Sequence, residues 1–180
     1  VAFNAYSDKH GLYQANRFLS YMHQLFEWAL LDERMAMNPA HGIKKFSERQ
    51  RDRVLTADEI GRFLEAVGKE PDPYRQFYRL ALLTGVRRGE LMAMRWRDLD
   101  MEERTWRIED TKNKRPHVVS LTEGMLLELG SLAKINDFVF ASRRSAKPIS
   151  GFSKSFDRVR KNAGLSDIRV HDLRRTFGSI

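Results

Sequence analysis

The chain changes character sharply at Leu55, and this change constrains its architecture more than any other feature. Thr56 and Glu59 have the spacing of a capping box, in which each side chain satisfies a free backbone amide at the start of a helix. Leu55 and Ile60 stand where a hydrophobic staple belongs. The predicted buried face of this helix consists of Ile60, Phe63, Leu64 and Val67. A new folding unit therefore begins at this point.

The residues before Leu55 predict a helix followed by a basic linker. Between Tyr13 and Leu31 apolar residues recur at helical spacing, and the predicted core-facing side is Phe18, Met22, Leu25, Phe26 and Ala29. Pro39 interrupts this pattern, because proline disfavours helical geometry in the preceding residue. The stretch 41–53 has no apolar periodicity, and it is either a solvated tether or a strap across a phosphate backbone. Its cations are Lys44, Lys45, Arg49, Arg51 and Arg53.

The residues after Leu55 predict a mainly α unit with a small antiparallel β-sheet, an α+β fold class. Helices are expected from Pro73 to a C-cap at Gly85, and over 88–94, 123–133 and 152–163. Residues 105–108 and 118–121 predict two strands that flank a polar turn, and the short apolar run 138–140 is compatible with another strand.

The net charge and the absence of cysteine limit which binding partners and which kinds of functional site are expected. The formal net charge of +8 favours a polyanionic partner such as nucleic acid, although evenly scattered charge would give the same value. The absence of cysteine excludes disulfides, thiolate metal sites and a cysteine nucleophile, and it agrees with a reducing cytoplasm. No apolar run approaches the roughly 20 residues that cross a bilayer.

The segment 84–91 carries the first candidate site residues. Arg87 follows a glycine that is predicted to end a helix, and its guanidinium matches two phosphate oxygens at once. Glu90 lies three residues further on and can steady Arg87 within a helical turn. Taken alone, the pair Arg87 and Arg88 at a helix start is more typical of surface charge than of a functional site.

Two later segments add candidate acid–base groups. At the tip of the predicted hairpin, Lys112 or Lys114 can enter a groove of DNA or protonate a leaving oxygen, although a solvated turn has the same composition. In the segment 171–176, His171 and Arg174 share a helical face and offer an acid–base group beside an anion clamp. On its own this spacing is also common on polar surfaces.

In this order, the three segments resemble the tyrosine recombinases of the phage integrase type. That family carries a TG-x-R-x-x-E box, a hairpin lysine before an apolar strand, and the box H-x-L-R-[RH]-[ST]-F. The corresponding residues here are 84–90, Lys112 and 171–177. The resemblance implies that residues 1–50 are the C-terminal part of a helical, SAM-like core-binding domain plus the basic linker. Residues 51–180 would then be a catalytic domain that is incomplete at its C-terminus.

The resemblance also implies a division of labour at a phosphodiester. Arg87 and Arg174 would stabilise the charge that develops on the non-bridging oxygens, without a metal or another cofactor. Lys112 would protonate the leaving 5′ oxygen, with Lys114 as the open alternative. His171 would assist proton transfer or bond to the phosphate. Arg88 and Arg175 are expected to contact DNA or neighbouring carboxylates.

The family nucleophile is a tyrosine downstream of the last box, and no residue of this chain fills that position. The last tyrosine is Tyr78, and Tyr74 and Tyr78 are predicted core residues. The last helix is expected to be unfinished at Ile180, so the chain is interpreted as a fragment that is inactive alone.

Three functions compete. The first is site-specific recombination through a 3′-phosphotyrosine, by a protein that forms a tetramer on paired duplex DNA sites in the bacterial cytoplasm and lies at the nucleoid when bound. The second is a non-catalytic DNA-binding relative that keeps the fold and the phosphate clamp, and the third is a purely structural helical domain. Type IB topoisomerases share the clamp, but the spelling of the boxes favours the integrase branch.

Overall fold

The computed structural model describes residues 2–109, 116–142 and 146–180, and the chain forms two compact units, Val1–Arg51 and Asp52–Ile180. In the first unit, α1 (Ala2–His10) packs on α2 (Leu12–Leu31). The side chain of Asn16 holds the following irregular segment, because its amide donates to the carbonyl of Phe46 at 2.9 Å and accepts from the Phe46 N–H at 2.8 Å.

The predicted helix before residue 31 is confirmed, but of its predicted core-facing side only Phe26 packs against the buried cluster of the first unit. The buried residues of α2 are Ala15, Asn16 and Leu19, whereas Phe18 is 38% exposed and Leu25 is 52% exposed. The reason is that apolar residues occur on more than one side of α2, and the small Ala15 allows the close approach of α1. Periodicity alone could not choose between these sides.

The second unit contains six α-helices and a short 3-10 helix (Trp96–Asp98) within the described residues. The α-helices are α3 (Ala57–Gly68), α4 (Tyr74–Thr84), α5 (Arg88–Met92), α6 (Glu123–Gly130), α7 (Phe152–Ala163) and α8 (Val170–Phe177). The capping box of α3 is confirmed, since Thr56 Oγ1 accepts from the Glu59 N–H at 3.3 Å and the Glu59 carboxylate accepts from the Thr56 N–H at 3.0 Å.

Three short antiparallel strands form the sheet in the order β1 (Leu99–Asp100), β2 (Thr105–Ile108) and β3 (His117–Ser120). β2 and β3 confirm the predicted strands, with Trp106 opposite Val119. β1 has only two residues and leaves no periodic pattern to detect. The run 138–140 forms a single bridge from Phe138 to Arg95 rather than a regular strand, and the side chains of Val139 and Phe140 join the core.

α4 is the centre of the second unit. Phe77 and Tyr78 are fully buried on it, and the Phe77 ring lies 4.1 Å from that of Phe152 and 5.1 Å from that of Phe140. α3, α6 and α8 all contact α4. This packing brings the end of α4, where the first box lies, beside α8, which carries the last one.

Three helix ends differ from the prediction. α5 ends at Met92 and α6 ends at Gly130, each a few residues early. α8 ends at Phe177 rather than continuing through Ile180, because the Ser179 N–H donates to the carbonyl of Thr176 at 3.0 Å, three residues back, and leaves the four-residue pattern of the α-helix. Within the described part of the chain, no helix combines the length and apolar character needed to span a membrane.

Candidate phosphate-binding site

The first and last boxes meet at the end of α4. Gly85 ends this helix in the left-handed conformation, with φ of 59°. Its carbonyl accepts a hydrogen bond of 2.6 Å from Nη1 of Arg174 on α8. A Cβ atom at Gly85 would lie 2.2 Å from Cδ1 of Phe177, so the position requires glycine for its backbone angle and for space.

Arg87 is held by Glu90, as predicted. Nη1 of Arg87 donates to Glu90 Oε1 at 2.9 Å, and the Arg87 backbone N–H donates to Oε2 at 2.9 Å. Burial raises the pKa of Glu90, but the bonds from Arg87 outweigh burial, so the pKa lies below its usual value. Glu90 is thus an anion that fixes the Arg87 guanidinium, which remains 34% exposed and open to a ligand.

His171 lies in the field of these cations. The residue is exposed as a whole, but partial burial of its ring and the charges of Arg175 and Arg174 lower its pKa. The charge of Arg87 acts in the same direction, whereas that of Asp172 opposes it. The imidazole is therefore neutral at neutral pH, and the positive field around it suits an anion.

Asp172, which was not predicted from the sequence, is a buried carboxylate in the first turn of α8. Asp172 has no exposed surface, and it accepts from the Arg169 N–H at 2.8 Å and from Nη1 of Arg175 at 2.8 Å. Arg175 therefore binds a neighbouring carboxylate, one of its two expected partners. The available signal was an acidic residue in the first turn of the last helix, where a carboxylate caps free N–H groups.

Thr176, also missed, ties α8 to the start of the second unit. Its Oγ1 donates to the carbonyl of Asp172 at 2.8 Å and accepts from the Leu55 N–H at 2.9 Å. A threonine on a helix gives no local signal of such a bond, because the partner is 121 residues away.

Lys112 and Lys114 lie outside the described residues, so both stay predictions. The strands on either side of them, β2 and β3, are described, and the charge of His117 on β3 contributes to lowering the Glu90 pKa. β3 therefore begins within electrostatic reach of the residue that holds Arg87. Arg88 is exposed and forms no ion pair with any described residue.

The basic stretch contains two kinds of cation. Lys44, Lys45 and Arg49 are exposed on irregular backbone of the first unit. Arg53, in the second unit, is only 22% exposed and binds Glu59 at 2.6 Å and Asp167 at 2.8 Å. The charge of Arg53 is thus compensated by structural ion pairs, and the DNA contact expected of it stays a prediction, as does that of Arg51.

Geometry gives the site a defined chemistry. Arg87 is fixed by the carboxylate of Glu90 and Arg174 by the carbonyl of Gly85, and the charges of both arginines act on the imidazole of His171. Guanidinium groups of this kind bind oxyanions. Among the residues that the structure describes, no three His, Asp or Glu side chains are grouped so that they could hold a metal ion.

Comparison with known proteins gives consistent results. The sequence profile of the phage integrase family matches residues 53–180. The ICEBs1 integrase of Bacillus subtilis (strain 168) is 23% identical over 190 residues, which cover 89% of this chain and 52% of that protein. The chain thus spans about half the length of this relative.

Solved structures of lambda integrase have the same fold. A lambda integrase dimer bound to a COC′ core site superposes with a TM-score of 0.81 at 25% identity, covering 98% of this chain and 69% of that one. A lambda integrase tetramer bound to a Holliday junction gives a TM-score of 0.77 at 22% identity, covering 98% and 56%.

Proposed function

Because the chain belongs to the phage integrase family, we propose that it supplies the phosphate-binding part of an enzyme that cuts and rejoins duplex DNA at specific sites. The observation that carries this proposal is the bond from Arg174 to the carbonyl of Gly85, which brings the last box beside the first. A family member with separated boxes would have no such site.

The proposed reaction is transfer of a phosphoryl group without net hydrolysis. A tyrosine hydroxyl gives up its proton as its oxygen forms a bond to phosphorus. The bond from phosphorus to the 5′ oxygen breaks and that oxygen gains a proton, so a 3′-phosphotyrosine and a 5′ hydroxyl result with no net change in protons. Arg87 and Arg174 stabilise the charge on the non-bridging oxygens. His171 bonds to the phosphate or assists proton transfer. The proton for the 5′ oxygen comes from Lys112, or from Lys114 if the hairpin register differs.

We assign the nucleophile to a part of the protein outside these 180 residues. Burial raises the pKa of Tyr78 to about 12, and its hydroxyl donates to the carbonyl of Phe152 at 3.0 Å. Tyr74 donates to the carbonyl of Ser150 at 2.8 Å. Both hydroxyls thus have hydrogen-bond partners within the second unit. This fragment should therefore be unable to cleave DNA alone.

The proposed partner is duplex DNA, held along its backbone by the basic residues. Those assigned to DNA are Lys44, Lys45, Arg49, Arg51, Arg53, Arg88, Lys114 and Arg175. Arg53 and Arg175 already hold carboxylates and would contribute less. Since lambda integrase forms a tetramer on a Holliday junction, we expect a similar assembly of the full-length protein on paired sites, in the cytoplasm at the nucleoid.

The test uses the full-length protein and a nicked duplex that traps the covalent intermediate. Wild-type protein should become attached to DNA, as seen on a denaturing gel. Arg174→Ala should lower the rate of attachment by about a hundredfold or more while leaving DNA binding largely intact. Lys69→Gln, which removes a cation just after the end of α3, is the control. Specific binding without any attachment in the wild type would favour the non-catalytic relative instead.

A further inference from the structure

A cavity of 390 Å³ adjoins the candidate phosphate clamp. α7 forms one wall, and the first residues of α5 and α8 form the others. His171 lines this cavity and also lies in the field of Arg87 and Arg174. His171 therefore belongs both to the cavity and to the surroundings of Arg87 and Arg174.

Two uncompensated cations line the cavity. Arg88 and Arg169 are both exposed, and neither forms an ion pair with a residue that the structure describes. The third arginine of the lining, Arg160, is committed to the fold, because Nη1 donates to the carbonyl of Ser166 at 2.9 Å and Nη2 pairs with Asp157. The Asp157 carboxylate, which also lines the cavity, is thus neutralised by Arg160, and the positive charge of Arg88 and Arg169 is left over.

The remaining lining is mostly apolar. Phe152 and Phe156, which are 3% and 6% exposed, form its floor with Ile168. An apolar floor below two guanidinium groups matches a phosphate that carries a sugar better than a small hydrated anion, because the sugar carbons cover the floor while the oxygens meet the arginines.

We propose that Arg88 and Arg169 bind one phosphate of the DNA backbone next to the phosphate that Arg87 and Arg174 hold. The inference rests on the proposed function. Arg87 and Arg88 are consecutive, with Cα atoms about 3.8 Å apart, yet the first side chain turns to Glu90 and the second lines the cavity. Two anion sites this close together fit successive phosphates of one strand.

The test removes the charge from single phosphates of the DNA. Each phosphate on either side of the cleavage position is replaced in turn by a neutral methylphosphonate, and the affinity of the full-length protein is measured for every duplex. In the wild type, one neutral flanking phosphate should weaken binding about tenfold. In Arg88→Gln/Arg169→Gln the same replacement should change affinity less than twofold, because the contact is already lost.

The control and the single variants keep the test decisive. Lys69→Gln, whose residue does not line the cavity, should keep the wild-type profile at every position. Arg88→Gln and Arg169→Gln should each give an intermediate loss at the same phosphate, which covers the case of a double variant that folds poorly. If the loss of affinity caused by a neutral phosphate is the same in the wild type and in the double variant at every position, the two arginines do not bind a flanking phosphate and the inference is wrong.

Two further outcomes separate this inference from its alternatives. If the wild type neither binds nor attaches to DNA, the proposed function itself fails. If attachment is normal but no phosphate depends on Arg88 and Arg169, only the inference fails.

A free nucleotide is the other source of a sugar phosphate. Titration of the chain with a deoxynucleoside 5′-monophosphate should shift the NMR signals of Arg88 and Arg169 only at millimolar concentration, and saturation at micromolar concentration would overturn the assignment to backbone DNA.

Discussion

Nη1 of Arg174 lies 2.6 Å from the carbonyl oxygen of Gly85, although 89 residues separate the two in the chain. One donor of the guanidinium is thereby fixed to the backbone at the end of α4, and the others remain for a ligand. The position of Arg174 therefore depends on a helix end in another part of the unit, and changes at that helix end should reach the phosphate site.

Replacement of Gly85 by alanine should damage both stability and the site. The left-handed backbone costs an alanine about 1–2 kcal/mol, and the new Cβ would lie 2.2 Å from Phe177 Cδ1. We expect a lower urea midpoint and slower covalent attachment to DNA. Gly61→Ala is the matched control, since nothing lies within 4 Å of its Cβ and the residue is helical. Equal stability of the two variants would contradict this account.

The titration of His171 should report the charge of the clamp. Burial together with Arg175 and Arg174 holds its pKa below the ordinary value of 6.5. The folded state therefore disfavours the proton: stability is greatest above pH 6.5 and falls as the pH drops below that value. Arg174→Gln should raise the midpoint of the imidazole NMR titration. An unchanged midpoint would mean that Arg174 does not act on the ring.

The ion pair of Arg53 with Glu59 should show an acid-dependent contribution to stability. Hydrogen bonds from Arg53 and the Thr56 backbone lower the Glu59 pKa from 4.5 to about 2. This contribution is complete above pH 4.5 and is lost as the pH falls to about 2. Glu59→Gln should cost about 1 kcal/mol at pH 7, and the difference from wild type in urea unfolding should shrink at low pH.

The exposed control for that experiment is Glu65→Gln. Glu65 binds Lys69 at 2.9 Å with a side chain that is 72% exposed, so its loss should change the free energy of unfolding very little at any pH. If both variants lose the same stability, the partly buried pair has no special role.

The salt dependence of DNA binding should separate the two kinds of linker cation. If Lys44, Lys45 and Arg49 contact phosphates, changing all three to glutamine should reduce the slope of log K against log salt by up to about 2.7, or about 0.9 for each contact. Arg53→Gln should reduce the slope less, because Glu59 and Asp167 already hold its charge. An unchanged slope in the triple variant would exclude the strap.

Local signals predicted the parts of the fold that local chemistry controls. The capping box at Thr56, the glycine end of α4 and the bond from Arg87 to Glu90 all act within a few residues. The resemblance predicted that the boxes meet, and the bond from Arg174 to Gly85 is consistent with it. Roles in the reaction stay predictions, because geometry alone tests proximity and not chemistry.

The features that could not be predicted from the sequence are contacts between distant residues and the choice of buried side in a helix that is apolar on more than one side. Arg53 finds Asp167 across 114 residues, and no local pattern marks an arginine that will be neutralised by the fold. The apolar residues of α2 occupy more than one side, so the choice of buried side depended on α1. The cavity at Arg88 and Arg169 joins three separate elements and exists only after folding.

The hydrogen bond from the Leu55 N–H to Thr176 has a mechanical consequence. Leu55 lies close to the start of the second unit, and Thr176 lies on α8, the helix that carries His171 and Arg174. Arg53, two residues before Leu55, also pairs with Glu59 and Asp167, so force along the linker would be shared between these ion pairs and the bond from Leu55 to α8. A displacement of the chain at Leu55 should therefore also shift α8, the helix that carries His171 and Arg174.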